Sequence, residues 1–186
     1  VLSSNFNRYS VRANLDAQLS KKLSMKFSFN TAYTTNNDII NSGGNGGGEG
    51  IVGSATTWEY WYPLYKDDGT YFSGYGQDAT NNVWNPVATA NEVLRKAENL
   101  RLLGNLNTEY KFTDALKLNI MLGTNIGNRH YYYFIPKMDV FQNVAEGNDE
   151  RSNSLNWLTE STLNYTKSLG KHNFTGLLGY TTQKQA

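Results

Sequence analysis

Between Tyr9 and Tyr33 apolar and polar side chains alternate one for one. Tyr9, Val11, Ala13, Leu15, Ala17 and Leu19 share one parity; Ser10, Arg12, Asn14, Asp16 and Gln18 share the other. Ser20-Lys21-Lys22 interrupts the run, which restarts with Leu23, Met25, Phe27, Phe29 and Tyr33 against Ser24, Lys26, Ser28 and Asn30. A strand points successive side chains to opposite faces. The period therefore predicts a hairpin over about 9–33 with one apolar and one polar face.

The pattern recurs twice. Leu102, Gly104, Leu106, Thr108, Tyr110 and Phe112 oppose Leu103, Asn105, Asn107, Glu109 and Lys111; after Thr113-Asp114-Ala115, Leu116, Leu118, Ile120, Leu122 and Ile126 oppose Lys117, Asn119 and Asn125. A third hairpin carries Leu155, Trp157, Leu163 and Tyr165, turns through Lys167–Lys171, and returns with Phe174, Leu178 and Tyr180. Hairpins are predicted over about 9–33, 102–126 and 155–182, six strands in all. Asn85-Pro86-Val87-Ala88 opens a stretch to about Asn99 with room for one or two helical turns, a polar residue followed by Pro being a helix-entry signal.

Each clean alternation lasts about 11 residues, against about 5–6 for an average globular strand, and a tilted strand of about 9–11 residues crosses a bilayer. Turns within hairpins are short, whereas the connections between them are long, about 34–100 and 127–154. Outer-membrane barrels have this rhythm, with short periplasmic turns and long extracellular loops. Tyr9, Tyr33 and Trp157 fall near the outer end of the apolar face, and Tyr110, Phe112, Tyr165 and Phe174 near the inner end. Two such girdles are expected at the two membrane interfaces. Arg12, Asp16, Lys26, Glu109, Lys111, Lys117 and Glu160 all take the other face, which would line a lumen. Closed outer-membrane barrels start at about eight strands. The expected fold is thus all-β, a six-stranded antiparallel arc of a larger transmembrane β-barrel, and the chain reads as a piece of a longer one. The competing reading is a soluble β-sandwich with this face in its core, a carbohydrate-binding or structural protein.

Composition narrows the functions. The 186 residues hold 17 basic and 16 acidic side chains and no cysteine. Near-balanced charge lacks the footprint of a nucleic-acid binder. Without cysteine there are no disulfides, thiolate metal sites or cysteine nucleophiles in these residues. His130 and His172 have no metal-ligand spacing, and no nucleophile–base pattern or phosphate loop appears, so the expectation is no enzyme, no metal and no cofactor. Asp67-Asp68-Gly69 between Tyr65 and Tyr71 reads as a hairpin turn rather than a calcium loop. Gly43–Gly50 reads as a flexible loop segment.

The densest chemistry lies in Trp58–Gly76, where Trp58, Tyr60, Trp61, Tyr62, Tyr65, Tyr71, Phe72 and Tyr75 crowd one long loop. Aromatic faces stack on sugar rings or peptide side chains, and Tyr hydroxyls and Trp N–H groups add hydrogen bonds. Such a cluster equally serves as the loop's own small core. Trp58, Trp61, Tyr62 and Tyr65 are the candidate ligand-binding residues.

Four segments carry a family resemblance: "NRYSVRANLDAQLSKKLSMKFSFNTAY", "NPVA", "NLRLLGNLNTEYKFTDALKLNIMLG" and "LTESTLNYTKSLGKHNFTGLLGY". They resemble the barrel of SusC/RagA-type TonB-linked (TonB-dependent) outer-membrane transporters. The resemblance implies a 22-stranded parent barrel with an internal plug and an energy-coupling segment, none of which, nor any signal peptide, is visible in these residues. It implies uptake of oligosaccharides or peptides in the outer membrane of a Gram-negative bacterium. The implied partners are outer-membrane lipid, a SusD-like surface lipoprotein acting as lid, and the TonB complex, reached through other parts of the parent.

Overall fold

A computed structural model describes residues 4–37, 50–74, 83–141 and 144–186. The elements in chain order are β1 (Asn5–Gln18), β2 (Leu23–Asn37), α1 (Gly50–Thr57), α2 (Pro86–Glu92), β3 (Leu94–Lys111), β4 (Leu116–Ile135), β5 (Glu146–Leu169) and β6 (His172–Lys184). The strands form one six-stranded antiparallel sheet in the order β1-β2-β3-β4-β5-β6. The chain divides into two compact units. A strand unit takes Arg8–Tyr33, Asn99–Arg129 and Ser152–Ala186; a loop unit takes Val1–Asn7, Thr34–Glu98 and His130–Arg151.

In the strand unit the turns close on local hydrogen bonds. The Ser20 hydroxyl accepts from the N–H groups of Lys22 and Leu23 at 3.2 and 3.1 Å, and the Thr113 hydroxyl accepts from those of Ala115 and Leu116 at 3.2 and 3.1 Å. Ser and Thr favour turns because their side chains satisfy backbone donors in this way. Neighbouring hairpins are tied together, Lys111 N–H donating to the Lys22 carbonyl and Thr166 N–H to the Ala115 carbonyl, both at 2.8 Å. The third turn is tighter than the sequence predicts. Leu169 and His172 still pair, leaving only Gly170 and Lys171 between the strands. Gly170 adopts φ +61°, a left-handed conformation that costs glycine nothing and permits a two-residue turn.

The two faces of these strands differ as the alternation requires. β5 and β6 pair with Leu163 opposite Leu178 and Ser161 opposite Tyr180, which puts their apolar parities on one side. That side is open away from the sheet edges as well: Phe27 on β2, Tyr110 on β3 and Leu122 on β4 are all exposed. Apolar surface on this scale calls for an apolar solvent.

The strands run further than predicted, and the connection after β4 shrinks to residues 136–145. Side chains still point to alternate faces past Ile126, but both faces become polar or aromatic there, and the contrast that marks a half-buried strand vanishes. In β3 the apolar parity runs upward from Phe112 through Leu106, Leu102 and Leu100, then meets Glu98 and Lys96, paired at 2.7 Å. In β4 and β5 the same parity ends in His130 and Asp149, 2.9 Å apart, with Arg151 3.6 Å from Asp149. Charges of this kind belong outside hydrocarbon, so the strands outlast the bilayer at their loop ends.

Within the loop unit the connections are folded. Trp84, Ala88, Ile135, Val140 and Phe141 form a buried cluster, with Tyr71, Val93, Tyr133 and Met138 packed against it. Trp84 and Phe141 lie 5.0 Å apart between ring centroids, and the Ser73 hydroxyl donates to the Asp139 carbonyl at 2.9 Å. A long loop thereby acquires a core of its own and its backbone polar groups find partners.

Candidate functional site

The aromatic loop is built from Asn85 outward. Its side chain is wholly buried. Its Oδ1 accepts from the N–H groups of Val87 and Ala88 at 3.0 and 3.1 Å, capping α2, where Pro86 supplies the first turn. Its Nδ2 donates to the carbonyls of Leu64 and Phe72 at 2.7 and 3.0 Å. One amide thus holds both strands of the small ribbon between them. Tyr65 and Tyr71 bridge across that ribbon with rings stacked at 5.6 Å. At its tip Gly69 takes φ +81°, and the Asp68 carboxylate accepts from the Thr70 hydroxyl at 2.6 Å and N–H at 2.9 Å. The Thr70 hydroxyl, then its N–H, hold the Asp68 carboxyl below its ordinary range. The sequence reading of Asp67-Asp68-Gly69 as a turn agrees with this geometry.

The four candidate residues separate into two pairs. Trp58 and Tyr62 turn inward: Trp58 Nε1 donates to the Tyr62 carbonyl at 3.1 Å, and both rings lie against Phe72, at 6.4 and 5.5 Å. Gly74 fits beneath Trp58, where a Cβ would come within 2.8 Å of the indole. Trp61 and Tyr65 turn outward, 57% and 48% exposed, beside Tyr60 at 92%. Trp61 meets Tyr60 edge to face at 4.6 Å. The loop is therefore half core and half surface. Tyr75, Gly76 and the glycine-rich run from Gly43 to Gly48 lie outside the described residues.

Sequence reasoning missed two features nearby. α1 precedes Trp58, and its Gly- and Thr-rich sequence carries no apolar stripe to signal a helix. On the polar parity at the strand tops, the Arg95 Nε donates to the Tyr131 hydroxyl at 2.9 Å, and the Tyr133 hydroxyl donates to Glu146. The Tyr71 hydroxyl donates likewise to Glu92 at 3.0 Å. Its pKa is raised: a hydrogen bond from Asn91 pulls it down, but burial and the Glu92 carboxylate outweigh that. Polar and apolar residues do not alternate from Gly127 to Tyr133, so the sequence carried no signal for the Tyr131–Tyr133 row.

In the strand unit the polar face holds a concavity of about 490 Å³, lined among others by Ser24, Lys26, Asn107, Glu109, Asn119 and Glu160. Both charge signs and several amides face this space, a lining suited to water and polar solutes. Among the described residues no group of three His, Asp or Glu is placed to hold a metal ion. No described helix is long and apolar enough to cross a membrane, which says nothing of strands.

No protein-family profile matches the chain. It is 34% identical over 127 residues to the TonB-dependent receptor P3 of Formosa agariphila, a match covering 65% of this chain and 12% of that protein. In fold it is similar to the RagAB peptide transporter, with a TM-score of 0.72 at 20% identity over 98% of this chain and 20% of that one. The RagAB peptide importer in its closed-closed state gives 0.70 at 18% identity, covering 98% and 22%. The chain spans only about an eighth of the curated relative it matches and about a fifth of these solved chains. In sequence, then, the chain is similar to part of a TonB-dependent receptor, and in fold to part of the RagAB importer chains.

Proposed function

We propose that this segment supplies wall and extracellular mouth to an importer of oligosaccharides, working with a SusD-like surface lipoprotein as lid and driven by the TonB complex through other parts of the parent protein. The observation that carries this reading is the division of the aromatic loop, which holds Tyr65 outward on a ribbon braced by Asn85, and Tyr60 and Trp61 outward on the turn that precedes it. Flat amphipathic rings at a barrel mouth suit the apolar faces of sugar rings, and their rigidity keeps the entropic cost of contact low. Cargo then passes over the polar face, where Lys26, Glu109, Asn107 and Asn119 offer hydrogen bonds without an apolar trap. The barrel changes no bond. A second reading, peptide cargo, draws on the likeness to the RagAB peptide importer. The test is uptake by cells that carry or lack the full-length protein, offered labelled oligosaccharides and labelled oligopeptides, with and without the protonmotive force. Energy-dependent uptake of the sugars that requires the protein supports the first reading, and of peptides the second. Uptake of neither overturns both.

A further inference from the structure

One cation at the strand tops is held differently from its neighbours. Lys96 pairs with Glu98 at 2.7 Å, and Arg151 reaches Asp149 at 3.6 Å. Arg95, partly buried at the start of β3, pairs with no carboxylate among the described residues. Tyr131 holds it instead. The Arg95 Nε donates to the Tyr131 hydroxyl at 2.9 Å, and the guanidinium carbon lies 5.8 Å from the centre of the Tyr131 ring. An aromatic face and one hydrogen bond fix the guanidinium in place. They leave its Nη1–Nη2 edge without an acceptor among the described residues.

Two acids of the same unit are already engaged. The Tyr133 hydroxyl donates to Glu146, and the Tyr71 hydroxyl to Glu92. The bond to Glu146, then burial, raise the Tyr133 pKa, so its hydroxyl stays a donor through neutral pH. Arg95, Tyr131, Tyr133 and Glu146 all belong to the loop unit, and Arg95 shares the polar parity of Asn105 and Asn107.

We infer that Arg95 is a binding site for a carboxylate on the cargo, which its two Nη groups take as a bidentate pair. A partly buried cation with unused donors gains most from an acceptor that also carries charge, and a planar fork matches the two oxygens of a carboxylate better than a single hydroxyl. The hold of Tyr131 sets the fork before the ligand arrives, so little side-chain entropy is lost on binding. Glu146 and Glu92 repel anions that miss the fork, which makes the site selective rather than generally attractive. The inference rests on the importer reading. It takes the same group from either cargo, a sugar acid in an oligosaccharide or an acidic side chain in a peptide.

The test measures affinity of the full-length barrel with its lid for two matched pairs of probes. One pair is an oligouronate and its carboxyl-reduced counterpart; the other is an end-capped peptide containing glutamate and its glutamine counterpart. In one of the pairs the wild-type protein should prefer the acid about tenfold, and the pair that shows this identifies the source of the carboxylate. Arg95→Gln should erase the preference by weakening the acid about tenfold. Arg95→Lys, which keeps the charge and loses the fork, should retain only part of it. If Arg95→Gln does not fold, Arg95→Lys decides the matter: an undiminished preference there overturns the inference. No preference in either pair, or an equal loss of both members of a pair in Arg95→Gln, also overturns it while leaving the importer reading in place. Failure of all four probes to bind the wild-type protein overturns both.

Discussion

The Asn85 side chain donates to the Leu64 carbonyl at 2.7 Å while its Oδ1 caps α2. That amide makes four hydrogen bonds in a site with no access to water. Removing it strips a hydrogen bond from the Phe72 carbonyl and from the N–H groups of Val87 and Ala88, while the Leu64 carbonyl keeps the Phe72 N–H at 3.1 Å; each buried unsatisfied group costs about 1–3 kcal/mol and loss of a cap about 1 kcal/mol.

Asn85→Ala should therefore open the loop unit by about 2–4 kcal/mol relative to the intact protein. Hydrogen exchange at Leu64–Phe72 and at α2 should accelerate, with exchange in β5 and β6 unchanged. Asn85→Asp keeps the cap but loses both donations, and should fall between. Unchanged exchange in the ribbon would show that Asn85 does not brace it.

The lipid-facing parity predicts a face-dependent penalty. Ile120→Arg or Leu15→Arg should destabilise the full barrel by about 2–4 kcal/mol in folding titrations into bilayers, the cost of a cation near the hydrocarbon midplane. Asn119→Arg and Asn14→Arg, one residue away on the opposite parity, should cost much less. Equal costs would remove lipid from the apolar face.

Topology gives a third expectation. On intact cells a membrane-impermeant thiol label should reach Asp67→Cys in the ribbon turn and Asn148→Cys near the start of β5. It should not reach Lys22→Cys or Asp114→Cys until the outer membrane is opened. Labelling at Lys22→Cys from outside would invert the orientation.

The strands and short turns were legible because two signals coincided there, a period of two and a sharp change of polarity between faces. Ser20-Lys21-Lys22 and Thr113-Asp114-Ala115 stood out for the same reason. Beyond Ile126 the period persists but polarity no longer alternates: Arg129, Tyr131 and Tyr133 face one way and His130, Tyr132 and Phe134 the other. The strand ends were therefore read as loop. Asn85-Pro86 revealed a helix entry, since capping is local. The two donations of Asn85 to Leu64 and Phe72 span 21 and 13 residues and left no local trace. For the aromatic loop, composition showed a cluster but not its division. Which rings turn inward depends on Gly74 lying under Trp58 and on Phe72 against both Trp58 and Tyr62, contacts that only the folded ribbon creates.

The most direct test of the proposed role is ligand affinity of the full-length barrel with its lid, measured for Trp61→Ala, Tyr65→Ala, Tyr62→Ala and Trp58→Ala with thermal stability in parallel. Trp61→Ala or Tyr65→Ala should weaken binding more than about fivefold, equivalent to about 1 kcal/mol, at unchanged stability. Trp58→Ala and Tyr62→Ala should lower loop stability first, because their rings are packed. Full affinity in both Trp61→Ala and Tyr65→Ala would contradict the account and leave this segment as barrel wall alone.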